Sequence, residues 1–94
     1  MGYLLVRHKV ADYAAWKPVY DEHGATREAG GSKGARLFRN ASDPEELVIL
    51  FEWDDLGKAR EFAQADDLRQ TMQRAGVTDH PDVYFLEAVD SAPA

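Results

Sequence analysis

The sequence predicts an α+β domain in the order strand, helix, strand, strand, helix, strand (βαββαβ), with one four-stranded antiparallel sheet and the helices on one face. Three observations predict it. Four short runs read as strands, the first dense in Leu and Val and the third the most apolar of the chain; two longer stretches place apolar residues at helical spacing between caps and glycines; and the middle two strands are separated only by a short polar turn, which makes them a hairpin. Two similar halves in this order form a split βαβ unit, and right-handed crossovers send both helices to the same side.

Tyr3 to Val10 reads as the first strand. Leu4, Val6, His8 and Val10 point one way; Tyr3, Leu5, Arg7 and Lys9 point the other. Asp12 is placed to cap a helix running to about Ala29 and closed by Gly30 and Gly31, with Pro18 expected to kink it or to start its regular part. Tyr13, Trp16, Tyr20, His23 and Arg27 follow three-then-four spacing, so one stripe of that helix faces the sheet.

Ala35 to Ala41 is the second strand, and the turn from Asn40 to Glu45 leads into Leu47 to Trp53, the most apolar run of the chain. Asp54 or Asp55 caps the next helix, which presents Leu56, Ala59, Phe62 and Ala63 on one side. The pair Asp66-Asp67 is expected to break it and cap a further stretch with Leu68, Met72 and Ala75 inward, ended by Gly76. Pro81 precedes a last strand, Val83 to Val89, and the tail from about residue 90 is expected to fray.

With helices on one face only, the other face is left uncovered. Leu5 would lie there with one parity of the third strand, either Leu47, Ile49, Phe51 and Trp53 or Val48 and Leu50. Either set is too apolar to leave wet, so the expected partner is a second copy of the chain, a homodimer formed through the exposed sheet face. The length of 94 residues fits a single domain over 1–94 with a core small enough to gain from such a partner. Apolar residues at 45% and charged residues at 30% place it among ordinary globular proteins. The absence of cysteine excludes disulfides, thiolate metal sites and cysteine nucleophiles. A net charge of −6 speaks against nucleic acid as a partner. Tyr3 to Val6, the longest apolar run near the start, is too short for a signal or membrane segment, and the expected setting is the cytoplasm.

With its elements placed, the chain resembles the dimeric α+β barrel (ferredoxin-like) superfamily, and within it the antibiotic-biosynthesis monooxygenase-like (ABM-like) proteins. The residues carrying the resemblance are Tyr3-Leu-Leu-Val-Arg-His-Lys-Val, Trp16-Lys-Pro-Val-Tyr-Asp-Glu-His, and Leu50-Phe-Glu-Trp-Asp-Asp-Leu followed by Lys58-Ala-Arg-Glu-Phe. It specifies a fold better than a function, because the superfamily hosts oxygenases, haem-degrading enzymes, isomerases and decarboxylases. The haem-degrading branch is marked by an Asn, a Trp and a His; Arg7 and His8 stand near the first position, Phe62 at the second and Met72 at the third, so haem breakdown is not implied.

Polar groups on inward faces are the candidates for chemistry. His8 shares its strand face with Leu4, Val6 and Val10, and His23 shares its helix face with Trp16 and Tyr20. Packing that stripe on that strand face lines one cavity with two imidazoles and two aromatics, the makeup of a small-molecule site. His8 and His23 are the candidate bases, because imidazole titrates near neutrality. Trp16, Tyr20 and Glu52 are the candidate pocket residues, Glu52 alternatively being an edge residue paired with an arginine. A metal held by His8, His23 and Glu52 is conceivable, but their scattered spacing makes no ligand motif. There is also no GxGxxG or Walker pattern, and no cofactor is expected.

The resemblance implies a cofactor-independent monooxygenase-like enzyme, or an isomerase, acting on a small aromatic or quinone-like molecule in that pocket. The alternatives are a non-catalytic binding or accessory dimer, and a purely structural dimer whose cavity is filled. Histidines that face the cavity and reach water favour catalysis; histidines consumed by backbone bonds favour binding alone.

Overall fold

A computed structural model describes residues 2–93; Met1, and Ala94 at the end of the expected tail, lie outside them. The elements are β1 (Gly2–Lys9), α1 (Tyr13–Glu22), α2 (Gly24–Gly30), β2 (Ser32–Asn40), β3 (Asp43–Trp53), α3 (Leu56–Gln64), α4 (Asp66–Ala75) and β4 (Asp82–Glu87). The strands form one antiparallel sheet in the order β2-β3-β1-β4. This is the predicted architecture, with each predicted helical stretch divided into two.

The first division falls at His23, not at Pro18. α1 runs through Pro18, and the chain turns where His23 adopts φ −75°, ψ −6° between α1 and α2. Helical bonding bridges the turn, since the His23 N–H donates to the Val19 carbonyl at 3.1 Å and the Arg27 N–H to the His23 carbonyl at 3.1 Å. Stripe residues from both pieces therefore still face the sheet. Asp12 caps α1 by accepting from the Ala14 N–H at 3.0 Å. Asp55, not Asp54, caps α3, accepting from the Gly57 N–H at 2.7 Å.

The second division falls at Ala65, whose extended backbone (φ −69°, ψ 138°) separates α3 from α4 without any side-chain cap. Asp66 and Asp67 occupy the first turn of α4, where carboxylates favour the helix dipole, but neither caps it. Gly76 ends α4 at φ 84°, a left-handed conformation that suits glycine.

The hairpin is longer and tighter than the sequence suggests. β2 starts at Ser32, β3 starts at Asp43, and Pro44 lies inside β3 beyond the last regular pairing with β2. A proline is tolerated there because no ladder bond is asked of it. Asn40 holds the turn by accepting from the Ser42 N–H at 2.8 Å. β4 ends at Glu87, so Val89 is not a strand residue and is 96% exposed.

Register settles which parity faces the helices. Leu4 stands opposite Phe51, Val6 opposite Ile49 and His8 opposite Leu47, and these residues join Trp53, Trp16, Ala59 and Ala75 among the buried residues. Residues directly opposite share a face, so the other side carries Tyr3 beside Glu52, Leu5 beside Leu50 and Arg7 beside Val48. Phe38 of β2 and Tyr84 and Leu86 of β4 complete that open side and are all exposed. At its end Arg7 donates to Asp82 at 2.7 Å, Asp79 at 3.0 Å and Glu46 at 3.1 Å, tying β1 to β3, to β4 and to the segment before β4.

Candidate functional site

Between the helices and the sheet lies a mainly apolar pocket. β1 contributes His8, β3 contributes Ile49 and Phe51, α1 contributes Trp16 and Tyr20, and Phe62 and Met72 close it from α3 and α4. Its cavity volume is about 50 Å3, well below the roughly 300–1,000 Å3 of small-ligand sites. Its depth is narrow, so a bound ring requires a flexible wall residue such as Met72 to move aside.

Trp16 and Tyr20 stack with ring centroids 4.8 Å apart, and the His8 ring meets Trp16 edge-on at 5.8 Å. His8 is only 3% exposed, and its Nδ1 is buried without a hydrogen-bond partner. Burial pushes its pKa below the usual 6.5, with nearby Asp79 opposing the shift. The ring is therefore neutral at pH 7, with a lone pair on one nitrogen and a proton on the other. An orphaned buried polar atom is costly, by about 1–3 kcal/mol, unless something else satisfies it.

His23 is 7% exposed and packs on Phe62 with centroids 5.8 Å apart. Its Nε2 donates to Asp67 Oδ2 at 2.9 Å, while the Asp67 side chain is largely exposed. This pairing fits the tautomer protonated at Nε2, which leaves the lone pair on Nδ1. A carboxylate holding an imidazole in one tautomer is the arrangement of a general base and its orienter.

Arg27 is also buried. Its guanidinium lies 4.1 Å from the Tyr20 ring centroid and 5.5 Å from that of Phe51, and Nη1 donates to the Tyr20 carbonyl at 2.9 Å.

Several solved structures share this architecture. SnoaB, a cofactor-independent oxygenase from Streptomyces nogalater, matches 99% of this chain and 97% of its own at 16% identity, with a TM-score of 0.78. A candidate antibiotic biosynthesis monooxygenase from Bordetella bronchiseptica matches 94% of this chain and 96% of its own at 15% identity, TM-score 0.79. Rv0793 from Mycobacterium tuberculosis matches 97% of each chain at 17% identity, TM-score 0.71. The chain has their ferredoxin-like α+β fold. No protein-family model matches the sequence, and no curated protein is significantly similar to it. The resemblance read from the sequence thus holds at the level of fold.

Of the residues singled out in the sequence, the structure brings together His8, His23, Trp16 and Tyr20 around one pocket. It separates Glu52 from them. Glu52 stands opposite Tyr3, and that parity puts it on the open side of the sheet, away from His8. The conceivable metal trio is therefore not assembled, and the described residues hold no group of three or more potential ligands. Sequence reasoning missed Asp67, read as a helix cap, and gave Arg27 no role beyond the stripe. Helical phase carries the signal for Asp67: it lies one and two turns from Thr71 and buried Ala75, on an inward-leaning line.

Proposed function

We propose that the helix–sheet pocket binds a small, flat, mainly apolar molecule and that the protein acts on it as a cofactor-independent, monooxygenase-like enzyme with His23 as its base. The observation that carries this reading is the His23–Asp67 pair at 2.9 Å, with a buried imidazole on an apolar wall and its carboxylate reaching water. His8 Nδ1 has no hydrogen-bond partner and His23 is held by a side chain, while both rings are buried on the pocket wall. The exposed Asp67 carboxylate gives His23 its route to water, which supports catalysis over binding alone.

The chemistry follows from the parts. His23 takes a proton from an activated CH2 flanked by aromatic or carbonyl-bearing carbons, with Asp67 holding the ring in orientation. The carbanion delocalises into its ring system and reduces O2, and the new C–O bond forms a hydroperoxide. Loss of water leaves a carbonyl, so CH2 and O2 become C=O and H2O with no outside reductant. His8, neutral and unpartnered at Nδ1, accepts a hydrogen bond from a hydroxyl of the bound molecule. Expulsion of water by Trp16, Tyr20 and Phe62 protects the carbanion from simple reprotonation. The likeness in fold to a cofactor-independent oxygenase supports this choice of chemistry.

A second copy of the chain covers the open face of the sheet in the same reading. Its support is the run of apolar residues there, Leu5, Leu50, Phe38, Tyr84 and Leu86, three of which are exposed in the single chain.

Oxygen uptake with anthrone, a simple tricyclic compound with such a CH2, tests the enzyme reading. The wild type is expected to consume oxygen and form anthraquinone above the spontaneous rate, and His23→Ala to lose the excess. A rate equal in both proteins would remove His23 from the mechanism.

A further inference from the structure

Arg27 is a buried cation without a counter-charge. It is 9% exposed, yet no carboxylate among the described residues pairs with it. Charges taken from water are ordinarily paired, because an unpaired one forfeits its hydration. The carbonyl of Tyr20 takes one of its N–H groups at 2.9 Å, and the rings of Tyr20 and Phe51 supply only the weaker attraction of their π faces. Burial accordingly holds its pKa below the usual value, with Tyr20 and Asp21 opposing the shift.

The guanidinium also occupies a particular place. It lines the apolar pocket, beside Tyr20 and Phe51, and it lines a polar cleft between α2 and the start of β2 that includes Glu28, Ser32 and Lys33. The opposite charges of Glu28 and Lys33 leave Arg27 as the net cation of the cleft. It therefore stands where an apolar body lying in the pocket would present a polar end. Its remaining N–H groups form a planar fork suited to a carboxylate or a similarly flat oxyanion.

We propose that Arg27 is the anion-recognising residue of this pocket, and that the molecule bound there is an aromatic acid whose ring lies along the Trp16–Tyr20 wall and whose carboxylate meets the guanidinium. This rests on the reading of the pocket as a ligand site and adds the class of ligand. The net charge of −6 works against anions in general, so a preference for the acid form comes from a local cation and not from the overall field.

Isothermal titration with 2-naphthoate and with its uncharged methyl ester tests it. The wild type is expected to bind 2-naphthoate roughly tenfold or more tightly than the ester, as a charge-assisted hydrogen bond provides. Arg27→Gln is expected to abolish that preference, so that acid and ester bind it with about equal affinity. Arg27→Lys, which keeps the charge and loses the fork, is expected to retain a reduced preference, and serves if the Gln variant fails to fold by circular dichroism. Equal affinity for acid and ester in the wild type would overturn the assignment, as would a folded Arg27→Gln that still prefers the acid. Binding of neither compound would instead remove the pocket as a ligand site, and the assignment with it.

Discussion

The two faces of the sheet are built from the same strands and fail in opposite ways as surfaces of a lone domain. The helix-covered face buries Leu4, Val6, Ile49, Phe51 and Trp53, where apolar residues suffice, yet His8, His23 and Arg27 are buried among them. The open face looks outward, where polar residues cost nothing, yet Phe38 is 43% exposed and Tyr84 56%. A polar group inside and an apolar ring outside are both unfavourable in isolation, and each is accounted for by something that binds. In the proposed reading the inner partner is a small molecule and the outer one a second copy of the sheet.

The covered face is most sensitive at its largest fully buried side chain. Trp53 is fully buried, with its ring centroid 5.3 Å from that of Phe62. Trp53→Ala is expected to lower stability by about 3–5 kcal/mol in urea unfolding, as a large cavity does. Its indole N–H is buried without a partner, so Trp53→Phe, which removes that orphan along with some packing, should cost less than about 1 kcal/mol. A cost near that of the alanine variant would show that the indole N–H is satisfied in solution.

On the open face, the double variant Tyr84→Asp with Leu86→Asp should halve the mass in sedimentation while leaving the helical signal unchanged. A wild type that is already monomeric would remove the second copy from the account. On the covered face, Asp67→Asn keeps the shape but offers the imidazole no charge. It is expected to reduce anthrone-dependent oxygen uptake by roughly 100-fold, the low end for loss of a general base. An unchanged rate would make the 2.9 Å contact a structural one.

Acid separates the faces by a smaller effect. His8 has a folded pKa below 6.5, so its unfolded form binds protons first and stability rises with pH through that window. Its contribution is full above 6.5 and is lost as pH falls from there through the folded value. Asp79 accepts from the Lys9 N–H and from Arg7, and these hold its carboxyl below 3.8. Its contribution is therefore lost only at still lower pH, as pH falls through the folded value. Urea midpoints should decline in two stages on acidification, and His8→Leu should remove the upper one. Persistence of the upper stage in that variant would assign it to another group.

Period-two patterning made β1 legible, because Tyr3, Arg7 and Lys9 alternate with Leu4 and Val6, with Leu5 and His8 as the exceptions. It did not orient β3, since Val48 and Leu50 are as apolar as Ile49 and Phe51, and Glu52 was misplaced for that reason. His8 and His23 were legible as polar residues on apolar faces. Asp67 was not, because its partner lies 44 residues away and carboxylates in a first helical turn already have a local explanation. The division at His23 likewise left little trace, since a single backbone torsion produces it while the hydrogen bonds continue across.

A crystal structure with 2-naphthoate at saturating concentration tests the central claim most directly. The account predicts density for the ring between the Trp16–Tyr20 wall and the helices α3 and α4, with Met72 displaced and His8 and His23 on its border. A pocket still closed by its own side chains, with the compound absent or only on the surface, would contradict it.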